Sequence, residues 1–445
     1  MHDYVKLLDD AVLRSHAEYR SLQLALKTYK DAFSRFVPRN FFSLLKTEDG
    51  TVVHAGDHTE LKLSILFVDV RNFTALAEEM APDDVLRLLN SFNSKFEGPI
   101  YSNQGFIDKF IGDGMMVIFT SADSAVRSAV SMMQMVHEFN RDRAQQKLSP
   151  VWLSMGIHTG YSTLGVQGAS QRTELTVIGD AVNVASRVQN LTSQLQSRLL
   201  ISESTQLHLS DNDLFLNRFI DRIQVRGRIR PISVYEVFEA DDEETRKAKL
   251  AGQELFDHAI CAFHMGHYGE AAQLLNKYSA INETDPVANM YRKRCEIHLG
   301  VEEIREEPEK INDTFRWIPE YDTGHGVIDE HHHELVGTYE KLKAAVASRK
   351  EEELDNVLRF LHSYSRFHFS TEAELMKSAN YPLLPDHLEE HKAFVRKLDI
   401  LDRELRTGTH EFTLLFHLNL LLFDWLAVHS SKVDKHFVRW LARQS

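Results

Sequence analysis

The sequence predicts a multidomain protein in four parts. These are a dimerising coiled-coil helix over residues 1–36, an α+β domain over 37–240, a helical spacer and linker over 241–315, and a four-helix bundle over 316–445. Three observations carry this reading. At ~100–200 residues per domain, 445 residues make two to four folded units. The apolar positions recur every three or four residues at both ends of the chain and in strand-like runs in the middle. Twelve of the 23 histidines fall in the last 130 residues, where an even spread would place about seven.

Composition excludes several classes. With 43% hydrophobic and 26% charged residues and only 20 Gly and 10 Pro, the chain is globular and helix-rich. A net charge of −14 disfavours general electrostatic binding, so neither nucleic acid nor an anionic membrane is an expected partner. The start MHDYVKLLDD lacks a basic segment followed by an apolar one, and no run approaches the ~20 apolar residues of a membrane span. A cytoplasmic location is therefore expected. Cys261 and Cys295 make no disulfide framework and read as reduced, half-buried core residues.

In chain order, Val5, Leu8, Val12, Tyr19, Leu22, Leu26, Tyr29, Phe33 and Phe36 form a heptad seam with Ser15 as its polar break. So narrow a stripe suits pairing with a second copy, with a helix folded back on its own domain as the alternative. After a polar loop near Glu48–Thr59, LKLSILFVDV reads as a buried strand, and Pro82 opens a helix toward Phe96. GFIDKF and MMVIF form a hairpin through the turn Ile111-Gly112-Asp113-Gly114. A helix over 124–139 and strands in VWLSMGIHTG, LTVIG, RLLIS and VYEVF complete a mixed sheet. Residues 241–300 read as a tetratricopeptide-like helix pair that must dock on a neighbour, because a lone repeat cannot bury its own face. VEEIREEPEKIND is a solvated linker. Four amphipathic stretches follow, separated by Arg349–Glu352, by Tyr381, Pro382 and Pro385, and by Thr407-Gly408-Thr409, which makes an antiparallel bundle.

Asp69 and Asp113 fall at strand ends, where two converging carboxylates can hold Mg²⁺ on a bound nucleotide. FVDVRNFT, FIDKFIGDG and VIGDAVNVASR, in that order, resemble the class III nucleotidyl cyclase family, and the resemblance runs from about Phe36 to Phe238. It implies a ferredoxin-like α+β domain, with Asp69 and Asp113 holding two Mg²⁺ or Mn²⁺ ions per site. It also implies that Asn183 and Arg187 orient the ribose and stabilise charge on the α-phosphate, and that Lys109 and Thr176 read the purine. Lysine at the first base-reading position favours ATP, where glutamate would accept from guanine; threonine at the second replaces the aspartate of many relatives. Arg226 stands where the family usually has a triphosphate-gripping lysine, which keeps the charge and changes the donor geometry. The backbone amides of Val70–Thr74 offer a further phosphate cradle.

In the last part, His368 and Glu372 are four apart, as are His387 and His391, so each pair shares a helix face; His332, His429 and Asp434 lie on other helices. Such N/O sets in a bundle core suit iron or manganese pairs. IDEHHHEL, HFSTEAELM, YPLLPDHLEEH and HSSKVD resemble the bacterial hemerythrin family from Trp317 to about Trp440. The resemblance implies one iron on His387, His391 and His429, a second on His332 and His368 with an open position for dioxygen, and Glu372 and Asp434 as bridges. Leu426 would line the apolar pocket. Ala373 and Ser430, in place of the usual glutamate and isoleucine, are not ligands. His325, His331, His333, His362, His410, His417 and His436 read as solvated or hydrogen-bonded residues.

Together these readings lead to a homodimeric adenylate cyclase that makes cyclic AMP and pyrophosphate from ATP, with dioxygen or iron redox state at the bundle as its input. A guanylate cyclase and an inactive nucleotide-binding scaffold are the competing readings. The spacer is expected to carry the signal unless the two domains touch directly.

Overall fold

The computed structural model describes residues 19–29, 39–45, 54–78, 80–169, 172–211, 214–224, 231–300, 319–348, 351–406 and 411–444. Helix α1 is described over residues 19–29, and α2 over Arg39–Leu44. Much of the predicted coiled coil, residues 1–18 and 30–36, lies outside the described residues, as does Arg226.

The middle domain is built on β1 (His58–Val70), the strand expected from LKLSILFVDV. It pairs antiparallel with both β3 (Gly114–Phe119) and β4 (Leu153–Ala169), so it lies inside the sheet. That position explains its unbroken apolar run, since both of its faces are covered. Leu66, Val68 and Val70 point to the layer formed by α4 (Pro82–Ser102) and α5 (Ala122–Gln145). Leu63, Ile65 and Phe67 point the other way, toward Ala181 and Ala185 of α6 (Asp180–Gln194) and Phe41 of α2. A short α3 (Phe73–Glu78) follows β1. The eight-stranded sheet runs β2-β3-β1-β4-β6-β8-β7, with β5 (Arg172–Ile178) on β4. Its remaining strands are β2 (Phe106–Ile111), β6 (Leu199–Ser202), β7 (Asn217–Gln224) and β8 (Pro231–Val237), with the short α7 (Glu203–Leu207) after β6.

One boundary and one strand of the sheet differ from the sequence reading, and the spacer has four helices where that reading has a helix pair. The polar loop before β1 ends earlier, because His58, Thr59 and Glu60 already pair with Gly165, Leu164 and Thr163. Strand β7 is additional. Its sequence NRFIDRIQ hides the strand period because Arg218 and Arg222 are themselves buried.

The spacer is four helices, α8 (Glu243–Ala251), α9 (Gln253–His264), α10 (Tyr268–Ser279) and α11 (Pro286–His298). The α9–α10 turn lies within the segment read as a helix pair, with Gly266 at φ +82°. The spacer docks as a lone repeat must: Phe256, Ile260, Leu275 and Tyr278 share one core with Val184 and Val188 of α6 and with Ile232 and Val234 of β8. Cys261 and Cys295 are free and fully inside that core. Buried Arg218 locks the join. It donates to Glu236 at 2.7 Å and to Asp285, the N-cap of α11, at 2.6 Å, and Tyr278 Oη donates to Asp285 at 2.6 Å.

The bundle comprises α12 (Gly326–Ser348), α13 (Glu351–Ser378), α14 (Leu384–Arg406) and α15 (Glu411–Val428), with the fourth helix continuing through a π-helical turn (His429–Asp434) into α16 (Lys435–Gln444). It rests directly on the rest of the molecule: Phe416 of α15 packs edge-on against Phe219 of β7, with ring centres 5.3 Å apart. Among the described residues, no helix is long and apolar enough to cross a membrane.

Burial raises the Asp285 carboxyl pKa, but Arg218 outweighs it and holds the group down at about 2. Its stabilising contribution is thus present above the ordinary aspartate range near pH 4 and is lost as pH falls toward about 2. Asp285→Asn should cost about 3–5 kcal/mol at neutral pH by leaving the Arg218 guanidinium without its partner. Urea unfolding at pH 7 and again below pH 4 should show the wild-type advantage shrinking with acid.

Candidate functional site: a carboxylate corner, a lysine–threonine pair and a buried histidine cluster

Side-chain alternation along β1 puts Asp69 on the face of Phe67, at the strand end next to the β2–β3 hairpin. The tip of that hairpin carries Asp113 after Gly112, whose φ of +62° lies in the left-handed region that favours glycine. Asp69 faces Asp113, and burial, then the charge of Asp113, pushes the Asp69 carboxyl up to about 6. Two carboxylates forced together in this way form a place for a cation. Gly114 permits the approach: a Cβ there would lie 2.4 Å from the Val68 carbonyl oxygen and 3.3 Å from Asp69 Oδ1. Residues Val70–Thr74 lead from β1 into α3, with Asn72 at φ +57°.

Lys109 of β2 and Thr176 of β5, 67 residues apart, meet with Nζ donating to Oγ1 at 2.8 Å. Asp108 and Glu174 flank the ammonium at 3.3 and 3.6 Å. Asn183 and Arg187 are one turn apart on α6, opposite its buried stripe of Ala181, Val184, Ala185 and Val188; Asn183 is exposed and Arg187 half-buried.

All seven residues singled out in the bundle converge. His332, His368, Glu372, His387, His391, His429 and Asp434 are each at most 4% exposed. Glu372 divides its oxygens: Oε2 lies 3.1 Å from His391 Nε2 and 3.4 Å from His387 Nε2, while Oε1 lies 3.6 Å from His368 Nε2. Asp434 divides likewise, with Oδ1 3.1 Å from His429 Nε2 and Oδ2 3.1 Å from His332 Nε2. One half of the cluster is thus three imidazoles, the other two, and both carboxylates span them. Burial lowers His368 to about 4 and His391 to about 3, which keeps those rings neutral as ligands require. Burial would lower His429 too, but Asp434 and Glu372 raise it to about 10. Phe369 stacks on His391 at 3.9 Å and Trp425 on His429 at 4.2 Å, and Leu426 lies in the bundle core beside Trp425. Five imidazoles and two shared carboxylates are a donor set for two transition-metal ions.

Comparison with known proteins agrees with this geometry. Residues 57–238 match the adenylate and guanylate cyclase catalytic domain, and residues 323–441 match the hemerythrin HHE cation-binding domain. The chain joins a class III cyclase domain to a hemerythrin domain. The adenylate cyclase of Anabaena cylindrica is 38% identical over 219 residues, 48% of this chain and 44% of that protein. The terminal-differentiation-specific adenylate cyclase of Dictyostelium discoideum is 30% identical over 312 residues, 68% of this chain and 15% of that protein. The chain therefore spans less than half the length of these relatives. The crystal structure of the adenylyl cyclase CyaB from P. aeruginosa aligns with a TM-score of 0.37 and 32% identity, over 40% of this chain and 95% of that one.

The seam between the cyclase and hemerythrin domains is what motif reading missed. Glu390, next to His391, lies 2.8 Å from Lys62 of β1 and 2.9 Å from His208. His436 is hydrogen-bonded, as read, but across the seam: its Nε2 lies 2.9 Å from Glu60 and its ring stacks parallel to Tyr161. Lys432 Nζ is 2.6 Å from Asp180 Oδ2. The two domains touch directly, so the spacer is not their sole connection. Charges this far apart in sequence have no motif; the one available signal was the density of charged residues around the predicted ligands. For the cyclase corner, Gly114→Ala should push the hairpin away from β1 and weaken Mn²⁺ binding measured by calorimetry, with far-ultraviolet circular dichroism unchanged.

Proposed function

We propose that this chain is a homodimeric adenylate cyclase converting ATP to cyclic AMP and pyrophosphate under the control of its hemerythrin domain. The contact of Lys109 with Thr176 carries the choice of ATP. It presents an ammonium donor to an adenine ring nitrogen, and a second donor of that ammonium is held by the threonine. Asp69 and Asp113 would hold Mg²⁺ or Mn²⁺, which supplies Lewis acidity on the triphosphate. Around it, Asn183 orients the ribose so that its 3′-oxygen faces the α-phosphorus. The new P–O bond forms there as the bond to the β-phosphate oxygen breaks, the hydroxyl proton goes to solvent, and Arg187 stabilises charge on the α-phosphate. Arg226 would hold the departing pyrophosphate.

Dimerisation fits this division of labour, with the metal carboxylates of one protomer facing the base, ribose and phosphate residues of its partner. The exposed seam of α1 supports it: Tyr19, Leu22, Leu26 and Tyr29 are 61%, 73%, 55% and 75% exposed on the single chain. A second helix covering that stripe would raise the effective concentration of the catalytic domains.

In the hemerythrin domain, His387, His391 and His429 would hold one iron and His332 and His368 the other, with Glu372 and Asp434 bridging. Two irons so held supply reversible redox and dioxygen chemistry. Five imidazoles from four helical segments and two fully buried carboxylates fit that group, since buried negative charge requires cations. Fusion to a symmetric enzyme makes the bundle an input domain for dioxygen or iron redox state.

Purified protein should turn over ATP faster than GTP with Mg²⁺ or Mn²⁺; faster GTP turnover would make it a guanylate cyclase, and no turnover a scaffold. Mixing Asp69→Ala and Arg187→Ala chains should restore activity through one intact site per heterodimer, checked after verified subunit exchange. Metal analysis should find two irons per chain, with Glu372→Ala losing both. The reduced and oxidised iron-loaded dimers should differ in cyclase rate, and His391→Ala should erase the difference while cyclase chemistry persists.

A further inference from the structure

The π-helical turn His429–Asp434 has a cluster residue at each end, and Lys432 lies between them. The turn closes one residue later than an α-helical turn, which brings residues five apart to the same side and leaves Lys432 facing out of the bundle. There its Nζ meets Asp180, with both side chains about half exposed, at 48% and 52%. Asp180 is the first residue of α6. Residues at i, i+3 and i+7 share a helix face, so Asp180, Asn183 and Arg187 form one stripe. Lys432 thus grips the same face of α6 that carries the ribose and α-phosphate residues.

The Glu390 contact of the same seam is held more firmly. Glu390 is buried between Lys62 and His208, which keep its carboxyl well below the ordinary range although burial alone would raise it. This contact anchors α14 to β1. Next to it, a cavity of about 280 Å³ lies between the domains, lined by Asp180, His158, Trp425, His429 and Lys432 among others. The π-helical turn therefore has an anchor on one side and open space on the other. Half-exposed ion pairs are weak and readily exchanged, which suits a contact that must change.

We propose that Lys432 is a positioning residue for α6: through Asp180 it sets the placement of Asn183 and Arg187 according to how the metal cluster holds His429 and Asp434. This rests on the regulatory reading above. Any change in the charge or occupancy of the cluster acts on both ends of the turn that carries Lys432, and the Asp180 contact links that turn to the catalytic stripe. Because Asn183 orients the ribose that carries the attacking oxygen and Arg187 acts on the reacting phosphate, the effect falls on kcat more than on KM.

The test uses the full-length, iron-loaded dimer, reduced under anaerobic conditions and oxidised. Two quantities are read in each state: the kcat and KM for ATP, and amide hydrogen exchange over residues 180–187. Wild type is expected to differ between states by about two- to fivefold in kcat, the range such an ion pair commands, with a matching difference in exchange. Lys432→Gln should bring both ratios close to one with iron content unchanged, and Lys432→Arg should keep them. A Lys432→Gln dimer that retains the wild-type ratios overturns the proposal and leaves the regulatory reading intact. A wild type with equal kcat and equal exchange in both states overturns the two together. A wild type that makes no cyclic AMP but shows the exchange difference, lost in Lys432→Gln, supports the contact and removes the cyclase reading.

Discussion

Two carboxylates, Glu372 and Asp434, lie at the centre of the bundle with no exposure to solvent, and the rest of that domain is shaped by the need to compensate them. Isolated charges in a protein interior are costly enough that groups normally change protonation or find partners. Here five imidazoles surround them, drawn from four helical segments, and neighbouring aromatic rings fix the imidazole planes. The constraint also reaches the backbone. His429 and Asp434 are five apart, a spacing that an α-helix would turn to different sides, and the π-helical turn brings both inward. That turn in turn presents Lys432 to the cyclase domain.

The cyclase domain handles charge in the opposite way. Asp69 and Asp113 meet at the edge of a sheet, and Asn183 and Arg187 face outward on α6. These groups lie toward the surface, where the proposed metal–nucleotide and second protomer would reach them. Where charge is instead buried in this half of the molecule, it serves cohesion: the Arg218, Glu236, Asp285 and Tyr278 group ties the sheet to the spacer. Sheet, spacer and bundle thereby share one continuous contact, with α6 under the spacer core on one side and under Lys432 at its start.

Legibility followed the length scale of each interaction. The buried strand LKLSILFVDV, the hairpin around Gly112 and the α9–α10 turn were readable because alternation, turn chemistry and helical period are local. Strand β7 was not, since Arg218 and Arg222 occupy positions where the period expects apolar residues, and their partners come from elsewhere in the fold. The cluster residues on α13 and α14 were legible as i, i+4 pairs. His429 and Asp434 were placed by family resemblance, and the reason their spacing works was visible only in the π-helical turn.

The sequence by itself determined the order of domains, the identity of the candidate metal and nucleotide residues, and the acidic character of the chain, because these reside in composition, period and motif spacing. Only the tertiary structure decided that Lys109 meets Thr176, that each bridging carboxylate divides its two oxygens between the halves of the cluster, and that the bundle sits on β1 and α6 rather than hanging from a linker. The physical reason is that contacts such as Lys62–Glu390 and Asp180–Lys432 join side chains hundreds of residues apart, and their existence depends on how two finished surfaces meet, which no local pattern encodes.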